Sequence, residues 1–578
     1  MPKNKIMKRF WYFIAVILMS VSSIKAQDTK GTDFWLTFGQ NSIRTYAQVD
    51  LQIRIVGYDV ETNGTLYFTN LPNSIDFHVF PREVKTINLS PLQKQAVYNE
   101  SVTTTKSNLS LHITSGAPVV VYALNQYSTT TDATNVLPTS SLGTEYYLLS
   151  YLPYSTSYRD AYTVVANQNN TEVFVDGALV TTLNAGQVYY AKAPNGTTNL
   201  TGTHITSSAP VSVFADNQCI GVPNGTGGDK SFQQMAPVET WGKTFFVPLA
   251  TQPIMMQRVR AIAYRAETTL TVTGGTLKTD GGGKNSFDLD AGEWLELEIT
   301  SGCYIESNNP IAVCSYLNGV TWSTRSDCAQ AWVPAIDQSV EAALVAPFIP
   351  VGETNLDEHY ALIVTSTGDK HLTTVSIGED SPTGLTGGSW VDGPGNMSYY
   401  TMPLTITSES YYFENPNKLF VLGYGTGTSE AYYYLGSSSM RNLTAAFFAN
   451  EVPCTEMTEY LLFCINDIEF TTDIDNIAEI KELNWYKMKT SGNTPDLDYV
   501  LITDIVDPLA WTRHFKAGNY KIKMEVIYND DTELVCEGDL CIGAHINIYP
   551  TPSHGGETKP DTGCFKVGTQ LPMEAYPY

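Results

Sequence analysis

Charge is scarce in this 578-residue chain, and positive charge is scarcer still. Only 16% of residues are charged, with 34 Lys and Arg against 59 Asp and Glu. An acidic excess of that size repels phosphate backbones, which removes nucleic acid from the partner classes. No stretch beyond the N-terminus is apolar enough to read as a membrane-spanning helix. Cys-x-x-Cys pairs are missing, and with them the usual zinc frameworks. So are Gly-x-Ser-x-Gly, His-Glu-x-x-His and the Walker-type phosphate loop. Gly281-Gly-Gly-Lys284 has glycines and a lysine but neither the spacing nor a following helix, and reads as a hairpin tip. The chain therefore reads as a non-enzyme, with no cofactor and no metal.

The N-terminus is the exception to the apolar scarcity. Lys3, Lys5, Lys8 and Arg9 precede the apolar run Phe10–Met19, and small residues lead to a cut after Ala26. Ten apolar residues are too few to span a bilayer, so residues 1–26 read as a cleaved signal peptide. They hold five of the basic residues and no acidic one, which leaves 29 basic against 59 acidic and a net charge of −30. Secretion or display at the cell surface is the expected location. Nine cysteines in an exported chain point to disulfides with one left over.

The chain has abundant tyrosine (35) and a recurring phrase. Gly116-Ala-Pro-Val-Val-Val-Tyr-Ala-Leu-Asn125 returns as Ser208-Ala-Pro-Val-Ser-Val-Phe-Ala-Asp-Asn217, as Asn308-Asn-Pro-Ile-Ala-Val-Cys-Ser-Tyr-Leu-Asn318, and faintly as Asn415-Pro-Asn-Lys-Leu-Phe-Val-Leu-Gly-Tyr424. The anchoring prolines Pro118, Pro210, Pro310 and Pro416 lie 92, 100 and 106 residues apart, the period of a duplicated β module. Proline opens a strand where its missing N–H costs no ladder bond. Alternation in Thr171–Gly177 and Thr268–Gly274 supports strands. The expectation is an all-β chain of tandem β-sandwich-like modules at about 31–140, 141–240, 241–340 and 341–445. Propeller-like blades are the alternative.

Residues 450–550 carry no copy of the phrase. Gly518 and Tyr520 before an alternating strand resemble the tyrosine corner of immunoglobulin-like domains, although Ile522 stands where an antibody-type domain has cysteine. An immunoglobulin- or PKD-like sandwich is expected there, followed by an extended tail over 551–578.

Candidate sites are sparse. Asp357-Glu-His359 reads as a loop before a strand, and Asp473, Asp475 and Asn476 as an acidic loop without the glycine and glutamate of a calcium site. Aromatic residues are ordinary strand formers, but the crowded Tyr147, Tyr151, Tyr154 and Tyr158, and Tyr432, Tyr433 and Tyr434, are candidates for a binding face. Cys303 and Cys314 flank Asn308-Asn-Pro310 and would bridge if those strands form a hairpin. Cys464 with Cys536 is the sheet-to-sheet pairing expected in the last domain, with Cys536–Cys541 as the alternative.

The middle of the chain resembles the IgGFc-binding protein N-terminal domain family. The residues that carry this are Asn199-Leu-Thr-Gly-Thr-His-Ile-Thr-Ser-Ser-Ala-Pro-Val-Ser-Val-Phe214, Cys219, Val222-Pro223, Gln234-Met-Ala-Pro-Val238 and Trp241-Gly-Lys-Thr-Phe-Phe-Val247. Leu137-Pro138, Leu142-Gly-Thr-Glu-Tyr146 and Gly31-Thr-Asp-Phe-Trp-Leu-Thr-Phe-Gly39 extend it, to cover about 30–440. That family has a second cysteine between Pro223 and Gln234, whereas Asn224–Phe232 holds none here. The resemblance implies binding or adhesion to an extracellular protein or glycoprotein, with mucin or immunoglobulin in view. A self-associating structural protein of the surface or matrix is the alternative, and a glycan-acting hydrolase the second.

Overall fold

The computed structural model describes residues 28–577 apart from 252–255, 276–283, 320–324, 352–355, 444, 455–456, 458–460, 475–476, 478–479, 491–494, 497, 529–532, 547–555, 560–562 and 567–573. Residues 1–26, read above as a signal peptide, the glycines of the 281–284 tip, and Asp475 and Asn476 lie outside the described residues. Strands dominate throughout. The chain divides into two compact units, one up to Arg441 and one from Asn442 onward.

In the first unit three of the four copies of the phrase lie in one long strand that serves two sheet regions in turn. In Leu111–Tyr127, residues 111–115 pair with Gly31–Leu36 and Thr62–Phe68. Beyond the proline, residues 119–127 pair with Asp50–Gly57 and with the return strand Thr130–Val136. Cys303–Leu317 and Tyr411–Gly427 repeat this arrangement, with returns Ala329–Val333 and Glu430–Ser437. The second copy is interrupted, as His204–Ser207 and Val211–Ala215, with return Gln233–Gln234.

The anchoring proline marks the handover between the two regions, where no ladder partner is needed for its nitrogen. The same side-chain bond braces that kink in three copies. Ser115, Ser207 and Ser307 each donate Oγ–H to the carbonyl of the residue before the proline, at 2.7, 2.8 and 2.6 Å.

The modules close into a ring, and their cores lie between neighbours. One core joins Ile53, Ile55 and Val121 of the first module to Val165, Val188 and Phe214 of the second. Another joins Val120, Tyr122 and Leu124 to Leu344, Phe413, Tyr432 and Tyr434 of the fourth. The sandwich layers thus come from successive modules, because each long strand is apolar on both faces.

A turn of each module also rests on an aromatic ring of the one before. Gly186 sits over Trp35, which stacks on His112 at 4.0 Å, and Gly292 sits over Tyr147, which stacks on His204 at 4.4 Å. Both glycines have positive φ, and a Cβ on either would lie 3.1 Å from the ring below. Gly395 covers Tyr304. The circle closes where the guanidinium of Arg82, from the first module, lies 4.1 Å over Tyr412 of the fourth. A main-chain bond from Thr29 N–H to Ser438 O at 3.1 Å ties the two ends of the unit together.

The second unit is built of two sheets around Phe447, Phe470, Trp485, Trp511, Ile522, Met524 and Leu540. Gly518–Tyr528 alternates buried and half-buried residues along its length. Tyr520 donates its hydroxyl to the Lys516 carbonyl at 3.0 Å, a contact of the tyrosine-corner kind.

The cysteines depart from expectation. The bridges are Cys454–Cys536 and Cys464–Cys564. Cys464 therefore does not pair with Cys536, since Cys454 and Cys564 take those partners. Cys303 and Cys314 are buried thiols, and cannot meet because both lie in one strand, Cys303–Leu317. The C-terminal stretch is also more ordered than an extended tail. Ala544–Ile546 pairs with Gly563–Phe565, and Gly556–Lys559 with Glu574–Pro577.

Candidate functional site

Most of the sequence-selected tyrosines are core residues. Tyr432, Tyr433 and Tyr434 are buried because the return strand that carries them runs through the middle of the ring. Tyr432 shares a 2.9 Å hydrogen bond with His359 Nδ1, and Tyr434 donates to the Ala346 carbonyl at 2.9 Å. Tyr151 is buried under the Arg260 guanidinium at 3.9 Å, and Tyr147 lies beneath the next module's turn. None of these five offers a binding face. His359 itself is buried, and burial drives its pKa down to about 4, so it is a neutral core residue. Its neighbours Asp357 and Glu358 pair with Arg325.

Tyr154 and Tyr158 stand apart. Tyr154 is 39% exposed and Tyr158 half-buried, on the segment that follows the second module's first strand. The Tyr154 N–H bonds to the Cys219 carbonyl at 2.8 Å, and Ser42 N–H to the Gln218 carbonyl at 2.8 Å. Tyr158 bonds Ser42 and neighbours Arg44. Arg44 in turn lies 4.4 Å over the half-buried Tyr127, beside the exposed Ile43. The glycine-rich loop 224–228 completes this rim, with a Cβ on Gly228 falling 3.4 Å from the Tyr154 ring. Rigid aromatic area, an arginine and open main chain sit together here, the components protein recognition uses.

Beneath the rim runs a feature that the sequence reading missed. Each module contributes one buried acid just before or within its return strand: Asp132, Asp229, Asp327 and Glu430. Asp132 accepts an N–H from each module: Ala133 at 2.8 Å, Phe232 at 2.9 Å, Gln330 at 3.4 Å and Tyr433 at 3.2 Å. Asp229 accepts from Thr131, from Lys230 at 2.7 Å and from Ala431 at 3.1 Å. Asp327 accepts from Gly228 at 3.0 Å and Cys328 at 2.8 Å. Both Glu430 oxygens lack a hydrogen-bond partner.

The acids are stepped along the axis. The donors to Asp132 stand three residues beyond Asp229, Asp327 and Glu430, roughly 10 Å of strand. Burial raises the pKa of all four, and that of Glu430 reaches about 8 with a further push from Asp327. A buried cation sits nearby: Lys230 contacts Asp216 and reaches the Gln40 carbonyl at 3.3 Å. The available signal was positional, since the four acids follow their anchoring prolines by 14, 19, 17 and 14 residues.

Comparison with known proteins places this architecture. The family model described as IgGFc binding protein matches residues 29–195 and 132–425, more than half of the chain. The second match starts about one module after the first, as an internal repeat requires. The human IgGFc-binding protein is 28% identical over 217 residues, 35% of this chain but only 4% of that protein's length. Among solved structures, Escherichia coli alpha-2-macroglobulin activated by porcine elastase aligns over 92% of this chain and 55% of its own. Its identity is 9% and its TM-score 0.11, too low to carry an argument. Among the described residues no helix is long and apolar enough to cross a membrane. The four-module ring, its proline-anchored strands and the match over residues 29–425 make this chain a member of the IgGFc-binding protein family.

Proposed function

We propose that this chain is an exported binding protein that recognises an extracellular protein or glycoprotein through the loop-bearing rim of its ring. The reading rests on one observation, the grouping of Ile43, Arg44, Tyr127, Tyr154 and Tyr158 beside loop 224–228. Tyrosine offers contact area at little conformational cost, and arginine with tyrosine commonly dominates protein interfaces. The human relative is named for the Fc part of immunoglobulin G, which makes immunoglobulins the first ligand class to test and mucins the second. The reading is non-enzymatic: the rim offers contact groups without a paired nucleophile and base.

The test immobilises the chain from residue 27 and passes immunoglobulin G Fc, mucins and serum glycoproteins over it. A Y154A/Y158A double variant should keep the parent melting temperature and lose at least roughly tenfold in affinity, the equivalent of about 1.4 kcal/mol. Unchanged affinity in that variant refutes the rim as the binding face. Concentration-dependent sedimentation with no ligand retained would favour a self-associating structural protein.

A further inference from the structure

The axial acids differ in how their charge is met. Asp132 and Asp229 have four and three main-chain donors, so their carboxylates are solvated by the protein. Asp327 has two such donors, on a single oxygen. Glu430 is fully buried, has no hydrogen bond on either oxygen, and feels the charge of Asp327. The one buried ammonium of this region, Lys230, is engaged by Asp216 and the Gln40 carbonyl. An unmatched carboxylate in the interior is costly unless something positive or protic reaches it.

We propose that the upper end of the axis, between Asp327 and Glu430, is a binding site for a hard divalent cation of the calcium type. Among the described residues no three His, Cys, Asp or Glu side chains are arranged to hold a metal ion, as expected of acids set in steps. Two carboxylates are enough for calcium. It takes roughly six to eight oxygen ligands and accepts main-chain carbonyls and water for the remainder. Glu430 and Asp327 belong to different modules, so the ion pins the fourth module to the third where loop 224–228 of the second meets them.

The experiment uses the chain from residue 27, stripped with EDTA and dialysed against calcium in physiological salt. Atomic emission should find one tightly retained calcium per chain, and calcium should raise the melting temperature of the first unit by several degrees. E430Q should reduce retention at least tenfold and abolish the calcium-dependent shift, yet melt no lower than the stripped parent, because it removes an unmatched charge. D327N should weaken retention too. If either variant fails to fold, terbium luminescence of the parent chain, sensitised by nearby tyrosines and displaced by one equivalent of calcium, reads the site directly. No retained ion and no displaceable terbium signal overturn the proposal and leave Glu430 as a buried protonated acid. Retention equal in E430Q and the parent overturns it as well, by assigning the ion to surface carboxylates.

Discussion

Replacing Gly228 by cysteine should create a bridge to Cys219 in the loop where the family resemblance implies a second cysteine. The family resemblance implies a cysteine between Pro223 and Gln234, and of the glycines in that stretch Gly228 is the one whose Cβ would meet Cys219. A Cβ built on it lies 3.6 Å from Cys219 Sγ and 3.4 Å from the Tyr154 ring, both ordinary contacts. Its φ is not positive, so a side chain brings no backbone strain. The hydrogen bond from Gly228 N–H to Asp327 uses main chain only and survives the change.

The new bridge closes a loop of about ten residues, and loop entropy gives a stabilisation of roughly 2.7 kcal/mol. Spread over the unfolding entropy of a unit of this size, that is a rise of about 3 °C. Two assays decide it. Alkylation of the denatured, unreduced G228C chain should give one label fewer than the parent, since one cysteine is gained and two are consumed. The rise in melting temperature should vanish in reductant. One label more than the parent, with no reductant-sensitive rise, would refute the geometry on which the reasoning depends.

His359 gives a pH prediction. Its folded pKa is about 4 against 6.5 in the unfolded chain, so below pH 6.5 the unfolded state takes up a proton that the folded state refuses. Its contribution is full above pH 6.5 and is lost as the pH falls toward 4, to a total of roughly 3 kcal/mol. The melting-temperature difference between parent and H359Q should therefore change over that window, and a difference that stays flat contradicts the buried, neutral assignment. In the second unit, C454S with C536S removes a bridge spanning 82 residues, worth about 4.5 kcal/mol by loop entropy. Calorimetry should show that unit melting roughly fifteen degrees lower with the first unit's transition unmoved; a loss of both transitions would show that the two do not unfold separately.

The repeat and the all-β class were readable because they are local. A proline followed by alternating apolar residues specifies its strand wherever it occurs, and four copies at one period specify a module. The serine three residues ahead of the proline was equally readable in three copies. What could not be read was which faces meet. Strands apolar on both sides looked like the cores of separate modules, whereas Val120 and Val121 pack into different cores shared with different neighbours. The same long-range pairing hid the site. Tyr432, Tyr433 and Tyr434 look like a surface cluster until their strand is seen to run along the axis, and Tyr154 gives no local sign that it differs from Tyr151. The axial acids carry weak local signals, because the loops before them differ in length and blur the register. The disulfides failed for a related reason, since a spacing of eleven residues suits a hairpin but here falls within one continuous strand.

The bond between Thr29 and Ser438 makes the start of the first unit a neighbour of its finish. A closed circle has no intrinsic first member, so the order of the four modules along the chain is expected to be dispensable for folding of the first unit. A circular permutant that joins residue 28 to residue 439 through a short glycine linker, and opens instead at the exposed Ala178 end of the second module's hairpin, should reach the same native state. New termini could then be moved around the circumference at will, to present a fused partner beside the rim or opposite it.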